Sequence, residues 1–258
     1  MFHLFSDIFA CRDNALARMD PRTKLIIAVA MIIFVIASSC VILPAAIFII
    51  CLTGMIAVGL PWRLILTRLI TPMGVVLMLV IIQSLTYGRT PLLNICIGHW
   101  SGVIKREGLL HGLLMGTRVM SAISVTILLS SVTPSHRIFQ ALRNLRISKE
   151  WVEIAMLMYR HTFALLDHTA DISDAQKVRL GYTGMKRSLS SLGVLAGAVI
   201  VHSVDMAGRT HEAMCLRGYQ GAMPYGPMPA MAAKDRWMIG LTILAVAISY
   251  LWLERRLF

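Results

Sequence analysis

The sequence predicts an all-α integral membrane protein with about five transmembrane helices and a cytoplasmic domain of three helices before the last span. Three observations carry this. Of 258 residues, 57% are hydrophobic, and the mean hydropathy is +0.72, which places the chain outside ordinary soluble domains. Apolar runs occupy 24–40, 41–59, 71–87, 109–132 and 237–253. A polar and basic stretch, Thr133 to Asp235, separates the last run from the others. The expected organisation is therefore 1–132, 133–235 and 236–258.

In chain order, residues 1–23 are amphipathic and carry Arg12, Arg18 and Arg22. Asp20-Pro21 precedes the first span, where proline suits a first helical turn and aspartate can cap the free amides. Lys24 to Cys40 is uncharged after its lysine and is followed directly by a second span, Val41 to Gly59. A basic turn, Pro61 to Arg68, then carries the interfacial Trp62 and leads to a third span, Thr71 to Tyr87. Residues 88–108 read as a mixed loop. The fourth span, Leu109 to Val132, holds Arg118 inside it. An arginine there either snorkels or pairs within the bundle.

Thr133-Pro134-Ser135 signals a new helix start. His136 to Arg146 is expected as a short basic amphipathic helix. Lys149 to Leu180 has helical period and, at about 45 Å, is long enough to form a platform. Ser188 to Leu216 begins apolar and rich in Gly, Ala and Ser, a composition that favours close helix packing. We read it as lying against the preceding helix; the alternative, a sixth crossing, would move Arg217 to the other side of the membrane. Residues 221–229 are Gly/Pro-rich, and Trp237 to Leu253 is the final span.

Net charge is +12, with pI about 10.0. No recognition motif or aromatic interleaving accompanies the charge, so it points to membrane topology and anionic lipid rather than nucleic acid. Four basic residues fall in 12–24, two in 61–68 and twelve in 134–235. With five spans, the N-terminus and the polar region both lie in the cytoplasm, as the positive-inside rule asks. The 88–108 loop, with three basic residues, and the Arg255-Arg256 tail run mildly against it. No cleavable leader is expected ahead of the first span.

The five cysteines, Cys11, Cys40, Cys51, Cys96 and Cys215, form no CxxC pair and read as free thiols. No acidic residue occurs between Asp20 and Glu107, whereas chains that carry cations themselves place carboxylates or several histidines in their spans. Cys96 with His99, and His161 with His168, are weak candidates for a soft metal. No catalytic constellation or nucleotide loop is visible. The expectation is no catalytic residue, no metal site and no cofactor.

Two short segments stand out: Asp174-Ala-Gln-Lys-Val-Arg-Leu-Gly181 and Glu212-Ala-Met-Cys-Leu-Arg-Gly-Tyr219. Each ends a helix-compatible run in arginine, with a glycine one or two residues later where a left-handed residue would close the helix. Arginine also offsets the dipole at any helix C-terminus. The recurrence of the pattern in one region points to docking.

At these residues the chain resembles the transmembrane T components of energy-coupling factor (ECF) transporters, and most closely their cobalt-importer branch, CbiQ. The resemblance runs through Met19-Asp20-Pro21-Arg22-Thr23-Lys24-Leu25, Arg143-Asn-Leu-Arg146, Tyr159-Arg160, Ala175-Gln-Lys-Val-Arg179 and Ala213-Met-Cys-Leu-Arg-Gly218. It implies a non-catalytic scaffold whose three cytoplasmic helices form a coupling domain. Its implied partners are two cassette ATPase subunits, where ATP binds, a substrate-capturing membrane subunit and the lipid bilayer, in a bacterial inner membrane. The family's Ala-Arg-Gly docking tripeptides carry over as Val178-Arg179-Leu180 and Leu216-Arg217-Gly218, and Asp20, Pro21, Arg22 and Lys24 as its N-terminal motif. Both tripeptides depart from the family's form, the first at two residues. Competing readings are a self-contained secondary transporter and a membrane-embedded enzyme.

Overall fold

The computed structural model describes residues 19–88, 91–97, 100–144, 148–221, 231 and 233–254. The expectations for residues 1–18, for His99, for Arg146, for most of the Gly/Pro-rich segment and for the Arg255-Arg256 tail lie outside them. The helices are α1 (Pro21–Ala37), α2 (Ile42–Ala57), α3 (Trp62–Thr86), α4 (Arg106–Val132), α5 (Ser135–Asn144), α6 (Lys149–Val178), α7 (Met185–Leu216) and α8 (Ala233–Glu254). A two-stranded antiparallel hairpin, β1 (Pro91–Ile97) and β2 (Trp100–Lys105), lies between α3 and α4. The architecture is that of an all-α membrane protein, with this one hairpin added where a mixed loop was expected. Ile95, Ile97, Val103 and Ile104 give the two strands their β-branched character.

The chain divides into two compact units: 1–141 with 229–258, and 142–228. In the first, α4 packs against α1, α2 and α3, while α8 packs on α1. Ala28, Val35, Leu43, Ile47, Cys51 and Val125 form one buried cluster. Met55, Val58, Leu60, Ile65 and Val132 form a second. The closest approach is between α3 and α4. A Cβ placed on Gly108 would stand 2.3 Å from the carbonyl oxygen of Gln83 and 2.5 Å from that of Tyr87. One on Gly112 would lie 3.1 Å from Val80 Cα. Small residues thus let two backbones meet, as membrane helices require.

Arg118 does not face lipid. Its Nε donates to the carbonyl oxygen of Ser38 at 3.1 Å, and a second guanidinium nitrogen bonds the same oxygen. That carbonyl follows the last turn of α1, where orphan acceptors and the negative dipole end both suit a cation. Ser121 Oγ likewise donates to the Pro44 carbonyl, tying α4 to α2.

The third span begins earlier than its apolar run, because α3 starts at Trp62 and includes Arg63 and Arg68 in its first turns. By length and composition α3, α4, α7 and α8 can each cross a membrane. At 17 and 16 residues, α1 and α2 are shorter, yet they supply six of the eleven residues in the two buried clusters. No residue of α7 is buried.

Candidate coupling site

The second unit is a helical hairpin of α6 and α7. Its closed end is fastened by side chains. Gln176 Nε2 donates to the Ser191 carbonyl at 3.0 Å, Ser191 Oγ to the Gly181 carbonyl at 2.8 Å, and Tyr182 OH to Gln176 Oε1 at 2.7 Å. Further along, the rings of His168 and His202 stack with centroids 3.9 Å apart.

The two arginines singled out in the sequence occupy equivalent positions. Arg179 follows Val178, the last residue of α6, and Arg217 follows Leu216, the last of α7. After α6, Leu180 N–H donates to Lys177 O at 3.0 Å and Gly181 N–H to Gln176 O at 2.8 Å. After α7, Gly218 N–H donates to Cys215 O and Tyr219 N–H to Met214 O, both at 3.0 Å. Both ends are therefore Schellman closures with arginine as the C-cap. The left-handed residue is Leu180 (φ 58°) in the first and Gly218 (φ 80°) in the second. This corrects one expectation: Gly181 is not the left-handed residue. It is small because a Cβ there would stand 2.7 Å from Ser191 Oγ and 3.0 Å from Gln176 O.

Both arginines are exposed, and bare aliphatic side chains flank them. Val178 is 85% exposed, Leu180 64% and Leu216 90%. Lys177, beside the first tip, is held at 2.8 Å by Asp174, and that hydrogen bond pushes its pKa up. Arg179 and Arg217 make no side-chain bond among the described residues. Because α7 is 32 residues long, the two tips lie about 45–50 Å apart. They are two separate tips, not one site.

The N-terminal motif lies in the other unit. Asp20 Oδ1 accepts from Arg22 N–H at 2.9 Å, Pro21 opens α1, and Lys24 N–H donates to Asp20 O at 3.3 Å. These residues shape a helix start.

One feature escaped the sequence reading. Beyond the His168–His202 stack, α6 and α7 leave a cavity of about 860 Å³ between them, lined by Arg160, His161, Arg209, Arg217 and Tyr219 among others. Arg209, His202 and Arg217 share a face of α7, but the cavity exists only because α6 lies opposite. Of the weak metal candidates, His161 borders this cavity while His168 stacks on His202. The small residues of α7 do not produce the expected close packing either. A Cβ on Gly193, Gly197 or Gly208 would meet nothing within 4 Å.

The family model of the cobalt transport protein CbiQ matches residues 12–226. An uncharacterized protein of Methanocaldococcus jannaschii is 25% identical over 210 residues, covering 81% of this chain and 78% of its own length. The cobalt transport protein CbiQ of Rhodobacter capsulatus is 34% identical over 95 residues, 37% of this chain and 39% of that protein. A putative fused cobalt transport protein CbiMQ of Methanocorpusculum labreanum is 26% identical over 127 residues, 49% of this chain and 21% of that protein. With its apolar helices and a family match over most of its length, this multi-pass membrane chain belongs to the CbiQ family of cobalt transport proteins.

Proposed function

We propose that this chain is the scaffold and coupling subunit of an ECF-type importer for cobalt(2+). Two cassette ATPases would bind and hydrolyse ATP, and a separate membrane subunit would capture the ion. One observation carries the reading: two helices end in the same Schellman closure, each tipped by an arginine that makes no side-chain bond among the described residues and follows an exposed aliphatic residue, Val178 or Leu216. A rigid helix ending in a planar multi-donor cation suits a carboxylate or helix end in a socket. Exposed Val178, Leu180 and Leu216 add an apolar ring that a partner would cover. Two like tips match two like sockets on an ATPase pair.

ATP-driven closure of the cassettes would pull on α6 and α7 and tilt the scaffold. The bare small-residue face of α7, with Gly193 and Gly197, is suited to close approach by a helix of the substrate-capturing subunit. The fusion named in the M. labreanum relative fits a close partnership within such a complex. The twelve basic residues of 134–235 support placing 133–235 in the cytoplasm of a bacterial inner membrane as the coupling domain. Under this reading the chain catalyses nothing itself.

The test is an Arg179→Glu, Arg217→Glu double variant. Cobalt uptake and cassette co-purification should both be lost, with membrane insertion retained. Wild-type uptake in that variant, or ATP-independent uptake by the chain alone in liposomes, would refute the proposal; the latter would favour a secondary transporter.

A further inference from the structure

The cavity between α6 and α7 has an unusual charge balance. Three arginines, Arg160 of α6, Arg209 of α7 and Arg217 at the end of α7, border a space of about 860 Å³, and no carboxylate among the described residues lines it. None of the three makes a side-chain hydrogen bond or ion pair among the described residues. The arginines are exposed at its mouth, and three acidic residues of the same helices, Asp167, Asp205 and Glu212, lie off the lining. His161, His202 and Tyr219 add hydrogen-bonding groups to the wall. The far side of the space is fixed, because the His168–His202 stack and the Gln176–Ser191 bond hold the hairpin closed there.

Like charges gathered around one concavity repel, and the repulsion is relieved when an anion sits among them. Guanidinium groups arriving from two sides can each present a two-pronged donor face, the geometry that phosphate oxygens accept best. The volume falls in the range of small-ligand sites and exceeds what a single ordered ion needs. We infer that this fork is a binding site for a phosphate-bearing anion, either a soluble phosphate compound or the headgroup of an anionic lipid. The site shares Arg217 with the proposed docking tip but rests on Arg160 and Arg209, and its binding measurements are made on the chain without cassette subunits, so either idea can fail alone.

The full chain is placed in phosphatidylcholine nanodiscs and titrated with inorganic pyrophosphate by calorimetry. In parallel, the chain is purified from phosphatidylglycerol-containing membranes, and its retained lipid is quantified. Saturable pyrophosphate binding near one per chain identifies a soluble phosphate compound, and retained phosphatidylglycerol identifies a headgroup. In either case the Arg160→Gln, Arg209→Gln variant should bind at least roughly tenfold more weakly. An Arg187→Gln control should bind as wild type, since that guanidinium bonds Thr183 at the closed end of the hairpin. Circular dichroism checks that the variant keeps its helices; if it does not, the Arg160→Lys, Arg209→Lys pair replaces it and should retain part of the binding. Binding of neither probe, or equal binding by wild type and variant, overturns the inference. So does protection of these arginines from a guanidinium reagent only when a cassette partner is added, which would assign the site to a protein carboxylate.

Discussion

Two helices of this protein carry the same Gly-xxx-Gly spacing in opposite circumstances. On α4, Gly112 and Gly116 continue a stripe from Gly108 and are buried, with a Cβ on Gly116 falling 2.8 Å from Val76 Cγ1. On α7, Gly193 and Gly197 face open space. Small residues permit close approach, but they do not supply the neighbour. The α4 stripe has found α3 within the chain. That of α7 meets nothing among the described residues of its own unit, and the same helix ends in an arginine that makes no side-chain bond among them. One region holds itself together; under the proposed coupling role, the other holds a partner.

Substitutions should therefore act differently in the two regions. The largest effect is expected at Gly108→Val, where the new side chain would meet two carbonyl oxygens. Destabilisation of about 3 kcal/mol, the upper end of the usual overpacking range, is expected, read as loss of folded protein in detergent thermal melts. A melt close to wild type would mean that α3 and α4 can separate at little cost. Next comes Gly193→Leu with Gly197→Leu. The isolated chain should melt as wild type, while co-purification of the substrate-capturing subunit falls by roughly tenfold, about 1.4 kcal/mol. Loss of the isolated chain's stability instead would erase the contrast.

The two tips give a finer comparison. Gly218→Ala should destabilise the end of α7 by about 1 kcal/mol, because φ is +80° there. Leu180→Gly, by contrast, relieves a left-handed leucine and should leave the end of α6 equal or slightly more stable. Hydrogen exchange of the amides at 179–181 and 217–219 reads both, and opposite signs are expected. The smallest effect is at Asp174→Asn. Its exposed bond to Lys177 holds that amine's pKa up, so on the alkaline side the pair's contribution fades as pH rises through the raised lysine value. In that exposed position, no change in thermal midpoint should be measurable at pH 7.

Much of this organisation is legible in the residues. Asp20-Pro21 marks the start of α1 because a cap and a proline are local devices. The two arginine-ended helices are visible because termination is also local. The start of α3 is harder to see, since Arg63 and Arg68 interrupt the apolar run without interrupting the helix. The hairpin at 91–105 is hidden by the glycine, proline and charges around it. Leu180 could not be identified as the left-handed residue, because the nearby Gly181 offered an easier answer. Its small size is required by Ser191, ten residues further along. The cavity is least legible of all, since Arg160 and Arg209 come together only when α6 and α7 pair.

The most direct test of the central claim is site-specific photo-crosslinking, with the probe at Val178 and, separately, at Leu216, in membranes containing the assembled importer. The account predicts adducts with the cassette ATPase subunits from both positions. Adducts from only one, or labelling of the two positions from opposite faces of the bilayer, would contradict it.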